Sequence, residues 1–173
     1  MADASLPRPA RHLPDAEWFH SFCDLLTRDH QPTFASLCQV LGTPQPGSGE
    51  HLQPADPRFS GITICRAAIG SSTPLVRIGL HGPPFSLPVG VLLARFPRHR
   101  LKHNTYDGGQ QIFLHPIPGR YAFSALSAWT DSEVVTDVAA VVVDNVQFQF
   151  GDVIAEFRDG FWMQSGGGGS APA

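Results

Sequence analysis

The stretch Ser60 to His81, SGITICRAAIGSSTPLVRIGLH, decides how this chain folds. Ile62 and Ile64 alternate with Thr63 and Cys65; GSSTP interrupts; then Val76, Ile78 and Leu80 resume the alternation. A period of two sends successive side chains to opposite faces of a strand, so each run has one apolar and one polar face. Glycine, serine and proline between the runs supply the turn. The stretch therefore reads as an antiparallel hairpin buried on one side.

Upstream of it the period changes to that of a helix. Trp18, Phe19, Phe22, Cys23, Leu25 and Leu26 fall on one helical face after the start signal Pro14-Asp15. A second helix is expected from Thr33 to Leu41, with Phe34, Leu37, Cys38 and Leu41 on one side and Gly42 as its stop. The two read as a helical hairpin. The segment 42–57, GTPQPGSGEHLQPADP, is broken by proline and glycine throughout and reads as a loop.

Downstream the chain reads mainly as β. A proline-rich crossing, GPPFSLP, leads to VGVLLARF and the basic RHRLKH, which is followed by the turn residues Asn104 to Gly109. QIFLHPI and RYAFSALSAW have strand character, and VQFQF, VIAEF and FWM read as a closing meander. The stretch 131–145 pulls two ways. Thr130 and Glu133 form a capping box and the valines have helical spacing, whereas valine itself favours strands; the two local signals together favour a helix. The expected fold class is α+β: an N-terminal helical hairpin, then a mainly antiparallel sheet of five to seven strands, with one late helix.

Length and composition agree with one domain. The chain has 173 residues, 42% of them hydrophobic, enough for a single core without disulfide or metal staples. Residues 1–13 read as a mobile arm, 14–164 as the domain, and 165–173, with their GGGGS run, as a flexible tail. Cys23, Cys38 and Cys65 show no C-x-x-C spacing and lie among apolar residues, which reads as buried free thiols in a reducing compartment. The first residues contain no apolar run of the secretory kind, so a cytoplasmic protein without a membrane span is expected. Arginine far exceeds lysine, the coding bias of a GC-rich bacterial genome.

Charge is distributed unevenly. Residues 1–130 carry 11 basic and 8 acidic residues, and residues 131–173 carry one basic and seven acidic ones. The overall charge of −3 argues against nucleic acid as a partner, because that binding is driven by basic surface. The concentrated basic feature is RFPRHRLKH, with Arg95, Arg98, Arg100 and Lys102; such a patch suits an acidic protein face or a phosphate, and a solvated loop explains it equally well. The acidic side is Asp152, Glu156 and Asp159, with Trp162 beside them in the apolar run Phe161-Trp162-Met163. Acidic charge accelerates association with a basic protein, and an exposed tryptophan anchors it.

Catalytic signatures are sparse. Eight histidines invite a metal, but His99 and His103 enclose Arg100 and Lys102, whose charges repel a cation, and no H-E-x-x-H or Cys/His finger spacing occurs. No metal and no cofactor is expected. There is no G-x-S-x-G elbow, GSSTP lacks the lysine of a phosphate loop, and Asp107-Gly108-Gly109 falls short of a calcium loop. The leading expectation is a non-catalytic protein-binding domain: an immunity-type inhibitor or an adaptor for a bacterial effector such as a toxin, binding through Asp152, Glu156, Asp159 and Trp162. The rivals are a small enzyme using His81, His115 and Asp107 for acid and base chemistry, and a structural component of a larger assembly.

Overall fold

A computed structural model describes residues 12–26, 32–48, 50–66, 75–96, 98–103, 110–114, 123–130, 138–150 and 163–164. Helix α1, Asp15–Leu26, buries Trp18, Phe19, Phe22, Cys23, Leu25 and Leu26, the face its spacing predicts. Asp15 and Glu17 stand in its first turn, where the helix dipole favours negative charge. Helix α2, Phe34–Leu41, starts at Thr33, whose hydroxyl accepts a hydrogen bond from the Ser36 amide at 3.1 Å. It stops at Gly42, where φ is 154°. A Cβ on Gly42 would overlap the Gln53 carbonyl oxygen, so only glycine lets the next strand begin there.

The first strands are β1 (Gly42–Pro44), β2 (His51–Pro54), β3 (Gly61–Arg66) and β4 (Leu75–His81). After β5 (Leu87–Pro88) and helix α3 (Val89–Arg95) come β6 (Arg98–His103), β7 (Gln110–Leu114) and β8 (Phe123–Thr130). A single 3-10 turn at Val138–Ala140 leads to β9 (Val142–Val143), β10 (Asn145–Phe150) and β11 (Met163–Gln164). Among the described residues, nine strands form one sheet in the order β1-β2-β3-β4-β10-β8-β7-β6-β11, and β5 pairs with β9 in a small separate ribbon. Six of the nine have five residues or more. Two meanders, β1 to β4 and β6 to β8, are thus joined by β10, which pairs antiparallel with β4 on one side and β8 on the other.

Register fixes which residues share a row. Ile62, Leu80, Val146, Ala128, Ile112 and Leu101 align across β3, β4, β10, β8, β7 and β6. Ile64, Ile78 and Phe148 align in a second apolar row, and all three are fully buried. Helix α1 packs on the second row: the Phe148 ring lies 5.5 Å from Phe22 and 6.0 Å from Phe19, centroid to centroid. Trp18 continues the aromatic contact to Phe59 at 4.8 Å, and Phe59 to Phe85 at 4.9 Å. All three helices place side chains in this one core cluster. The fold is α+β, with the helices preceding and interrupting a mainly antiparallel sheet.

A buried ion network ties the aromatic end together. Arg58, 9% exposed, bonds Asp56 at 3.0 Å and Asp15 at 3.1 Å, while its guanidinium lies over the Trp18 ring. The second oxygen of Asp15 accepts from the Ser86 amide at 3.1 Å. One carboxylate at the start of α1 therefore fastens two loops that are distant in sequence.

Several expectations change. The segment 42–57 holds two short strands because Pro44 and Pro54 fall at strand ends and Pro46 and Pro57 in turns, and Pro44 lies on the edge strand β1, where no ladder amide is needed. VGVLLAR is a helix, with Val89, Leu92 and Leu93 buried, and Phe96 buried at its cap. RHRLKH is strand β6 and not a loop. In 131–145, residues 131–137 lie outside the described residues; beyond them stand one 3-10 turn and then strand, so a helix does not run through Val142 and Val143. VIAEF, Phe161 and Trp162 also lie outside the described residues, and Met163 pairs with His99 on β6. Of the cysteines only Cys23 is buried; Cys38 and Cys65 are half-buried. Cys65 shares the polar phase of β3 with Thr63, which takes it off the core.

Candidate functional site

The polar rows of the sheet run between the apolar ones. Gly61, His81 and Asn145 share one row, Thr63, Gly79 and Gln147 the next, and Cys65, Arg77 and Gln149 the third. Thr63, His81, Asn145 and Gln147 are half-buried and Arg77 is exposed, so this face meets solvent.

His81 sits at its centre. Its Nδ1 lies 2.9 Å from Asn145 Oδ1, and its Nε2 lies 3.3 Å from Thr63 Oγ1. The Asn145 amide nitrogen donates to Asp144 Oδ1 at 2.9 Å. A carboxylate can only accept, so the amide orientation is fixed and Asn145 Oδ1 faces the imidazole as an acceptor. Neutral His81 therefore carries its proton on Nδ1, and its Nε2 lone pair accepts the Thr63 hydroxyl proton. The backbone there is pinned as well: the His81 carbonyl accepts from the Ser60 amide at 2.8 Å, and the Gly82 amide donates to the Asp144 carbonyl at 2.6 Å.

Gly79 makes this arrangement possible. A Cβ there would lie 2.5 Å from Thr63 Oγ1 and 2.9 Å from His81 Nε2. Glycine inside a strand costs about 1 kcal/mol relative to alanine, and here its missing side chain is the space that the hydroxyl and the ring nitrogen occupy. Beside it, Arg77 donates to Cys65 Sγ at 3.3 Å, and Cys65 lies 3.6 Å from a Glu50 carboxylate oxygen.

A second surface lies on the β5–β9 ribbon. Residues 82–90 and 139–144 run antiparallel, joined by the Gly82-to-Asp144 bond, the Leu87–Val143 and Pro88–Val142 pairs and the Val89-to-Val141 bond. Pro83, Pro84, Ser86, Pro88, Ala139, Ala140 and Val142 are exposed along it, and none carries charge. Val142, at 57%, is the large exposed hydrophobic residue among the described ones. Inside, Gly90 closes on Ala139, where a Cβ would lie 3.2 Å from the Ala139 carbonyl oxygen.

The chain matches no family model, no curated protein and no solved structure.

The residues expected from sequence fall in several places. Asp152, Glu156, Asp159 and Trp162 lie outside the described residues, as do His115 and Asp107. Arg95 closes α3 and donates to Asp24 of α1 at 2.8 Å, which commits it to holding two helices together. Arg98, Arg100 and Lys102 are alternate residues of β6, a strand near the sheet edge. Lys102 shares the row of His81 but stands four strands away, about 19 Å at ordinary strand spacing. His99 and His103 share the other phase of β6. Among the described residues no group of three metal-binding side chains gathers, and no helix is long and apolar enough to cross a membrane.

Thr63, Gly79 and Asn145 are not singled out by the sequence. One signal was present: Gly79 interrupts an otherwise well-formed strand, and an isolated strand glycine marks a close approach.

Burial pushes the Cys23 thiol far above its ordinary range, opposed in part by Arg95. Burial raises Cys38 too, against the nearby Arg66. Neither thiol is poised as a nucleophile.

Proposed function

We propose that this chain is a protein-binding domain that engages a second protein through the exposed apolar residues of the β5–β9 ribbon. The observation that carries this reading is the exposure of Val142 beside Pro88, with Pro83, Pro84, Ala139 and Ala140 around them and no charged side chain among these residues. Exposed apolar residues scattered singly need no explanation, whereas several gathered on one two-stranded ribbon have the make-up of an interface core. The ribbon backbone is held by hydrogen bonds on both sides, so little ordering is needed on binding.

The finer reading is an inhibitor or adaptor for a bacterial effector. It rests on the acidic excess of residues 131–173, which favours a basic partner. In this reading the ribbon supplies apolar contact, and Asp152, Glu156, Asp159 and Trp162 supply charge and an anchor.

The test is affinity capture from the native lysate with three baits: the wild type, a Val142→Glu variant, and an Asp152→Lys, Glu156→Lys, Asp159→Lys variant. A stoichiometric protein retained by the wild type and lost with Val142→Glu is the expected result. The charge variant should slow association and leave the contact in place. A partner held equally by all three baits would remove the proposal.

A further inference from the structure

We propose that Thr63, His81 and Asn145 form an acyl-transfer site on the polar face of the sheet, with Thr63 Oγ1 as nucleophile and esters of carboxylic acids as the substrate class. This activity is separate from binding at the β5–β9 ribbon. Three geometric features carry it. The Thr63 hydroxyl lies 3.3 Å from the lone pair of His81 Nε2, the relation of a nucleophile to its general base, which commonly tightens when substrate binds. The opposite ring nitrogen is held at 2.9 Å by Asn145, itself held at 2.9 Å by Asp144, so the base is fixed in the tautomer that can take a proton from Thr63. A nucleophile, a base and a group that orients the base is the arrangement on which hydroxyl and thiol acyl-transfer chemistry converges in unrelated folds. Finally, strand β4 keeps a glycine at 79, where any side chain would displace both the hydroxyl and the ring nitrogen.

The step balances without a co-reactant other than water. Thr63 Oγ1 attacks the ester carbonyl carbon while its proton passes to His81 Nε2. The new C–O bond forms, the bond to the leaving alcohol breaks, and the proton moves from Nε2 to the alcohol oxygen. The product is acyl-Thr63. Water then attacks the same carbonyl, gives its proton to Nε2, and the acid leaves as the proton returns to Thr63 Oγ1. Asn145 is a positioning residue: it keeps Nδ1 protonated and the ring in place. Thr63 and His81 are both half-buried, on the face of the sheet opposite the core.

A purely structural role for the Thr63–His81 bond predicts no acyl transfer, and the two are separable by experiment. The full chain is mixed with excess p-nitrophenyl acetate at neutral pH; release of p-nitrophenolate is followed, and the acetylated residue is located by peptide mass mapping. The expected result is a burst with acetyl on Thr63. The Thr63→Ser variant retains it, His81→Gln slows it on the order of a hundredfold, and Asn145→Ala slows it with a shifted pH profile. Thermal unfolding of each variant checks folding. Thr63→Ser keeps the hydroxyl and His81→Gln keeps a hydrogen-bonding side chain, so the result does not depend on a disruptive variant. Acetyl on Cys65 or Lys102 with Thr63 untouched overturns the proposal; so does an absence of acetylation, or a rate that His81→Gln leaves unchanged.

Discussion

The central strands β3, β4 and β10 present two faces made of alternate residues of the same segments, and the faces are held by different physics. On one, Ile64, Ile78 and Phe148 are fully buried in the core cluster, with Phe148 against the aromatic side of α1. On the other, Thr63, His81 and Asn145 are linked by hydrogen bonds across the strands and remain half-exposed. The apolar face contributes through area removed from water, which is large and indifferent to detail. The polar face contributes modestly, because each bond formed replaces one to water. The core face sets the register, and that register then places particular polar groups opposite one another at no extra cost in specification.

The largest separation of the two faces should come from Phe148→Ala, which empties space against Phe19 and Phe22 and is expected to cost about 4 kcal/mol. A urea midpoint within error of the wild type would show that α1 does not lean on β10. Next, Arg58→Ala leaves Asp56 and Asp15 without their shared cation at the edge of the core; about 3 kcal/mol is expected, measurable by the same titration. On the polar face, Asn145→Ala removes one hydrogen bond to His81 and should cost about 1 kcal/mol. A loss as large as that of Phe148→Ala would erase the distinction between the faces.

Two weaker effects sharpen it. Cys23 keeps its proton in the folded chain at a pH where the unfolded chain has lost it. Its contribution to stability is therefore full below the ordinary thiol value of 9.0 and falls as pH rises beyond it. Cys23→Val should remove that share of the alkaline decline, seen as a flatter stability curve; identical slopes would refute it. On the ribbon, Val142→Ser should shift stability by no more than about 0.5 kcal/mol, because the side chain is already in water.

Much of the core face was legible. The stripe from Trp18 to Leu26 and the alternation through Ile62, Ile64, Ile78 and Leu80 are local patterns, and locality is what a sequence displays. Proline and glycine in 42–57 misled because their meaning depends on whether a strand is central or at an edge, which only pairing decides. Helix α3 was hidden by valine and leucine that suit either state, although Val89, Leu92, Leu93 and Phe96 have helical spacing. The His81 site was illegible for a different reason. Asn145 lies 64 residues beyond His81 in the chain, and nothing near either residue names the other.

The position of β10 has a consequence for how this protein is made. Its two neighbours, β4 and β8, have both left the ribosome before β10 emerges, and each waits with an unpaired inner edge. Until then the amides and carbonyls on those two inner edges have no partner strand. Such edges recruit other chains as readily as their own missing strand. Long-range pairing of this kind also slows folding, so the interval before β10 docks is when a chaperone matters most. Truncation before Asn145 would leave both halves permanently in that state.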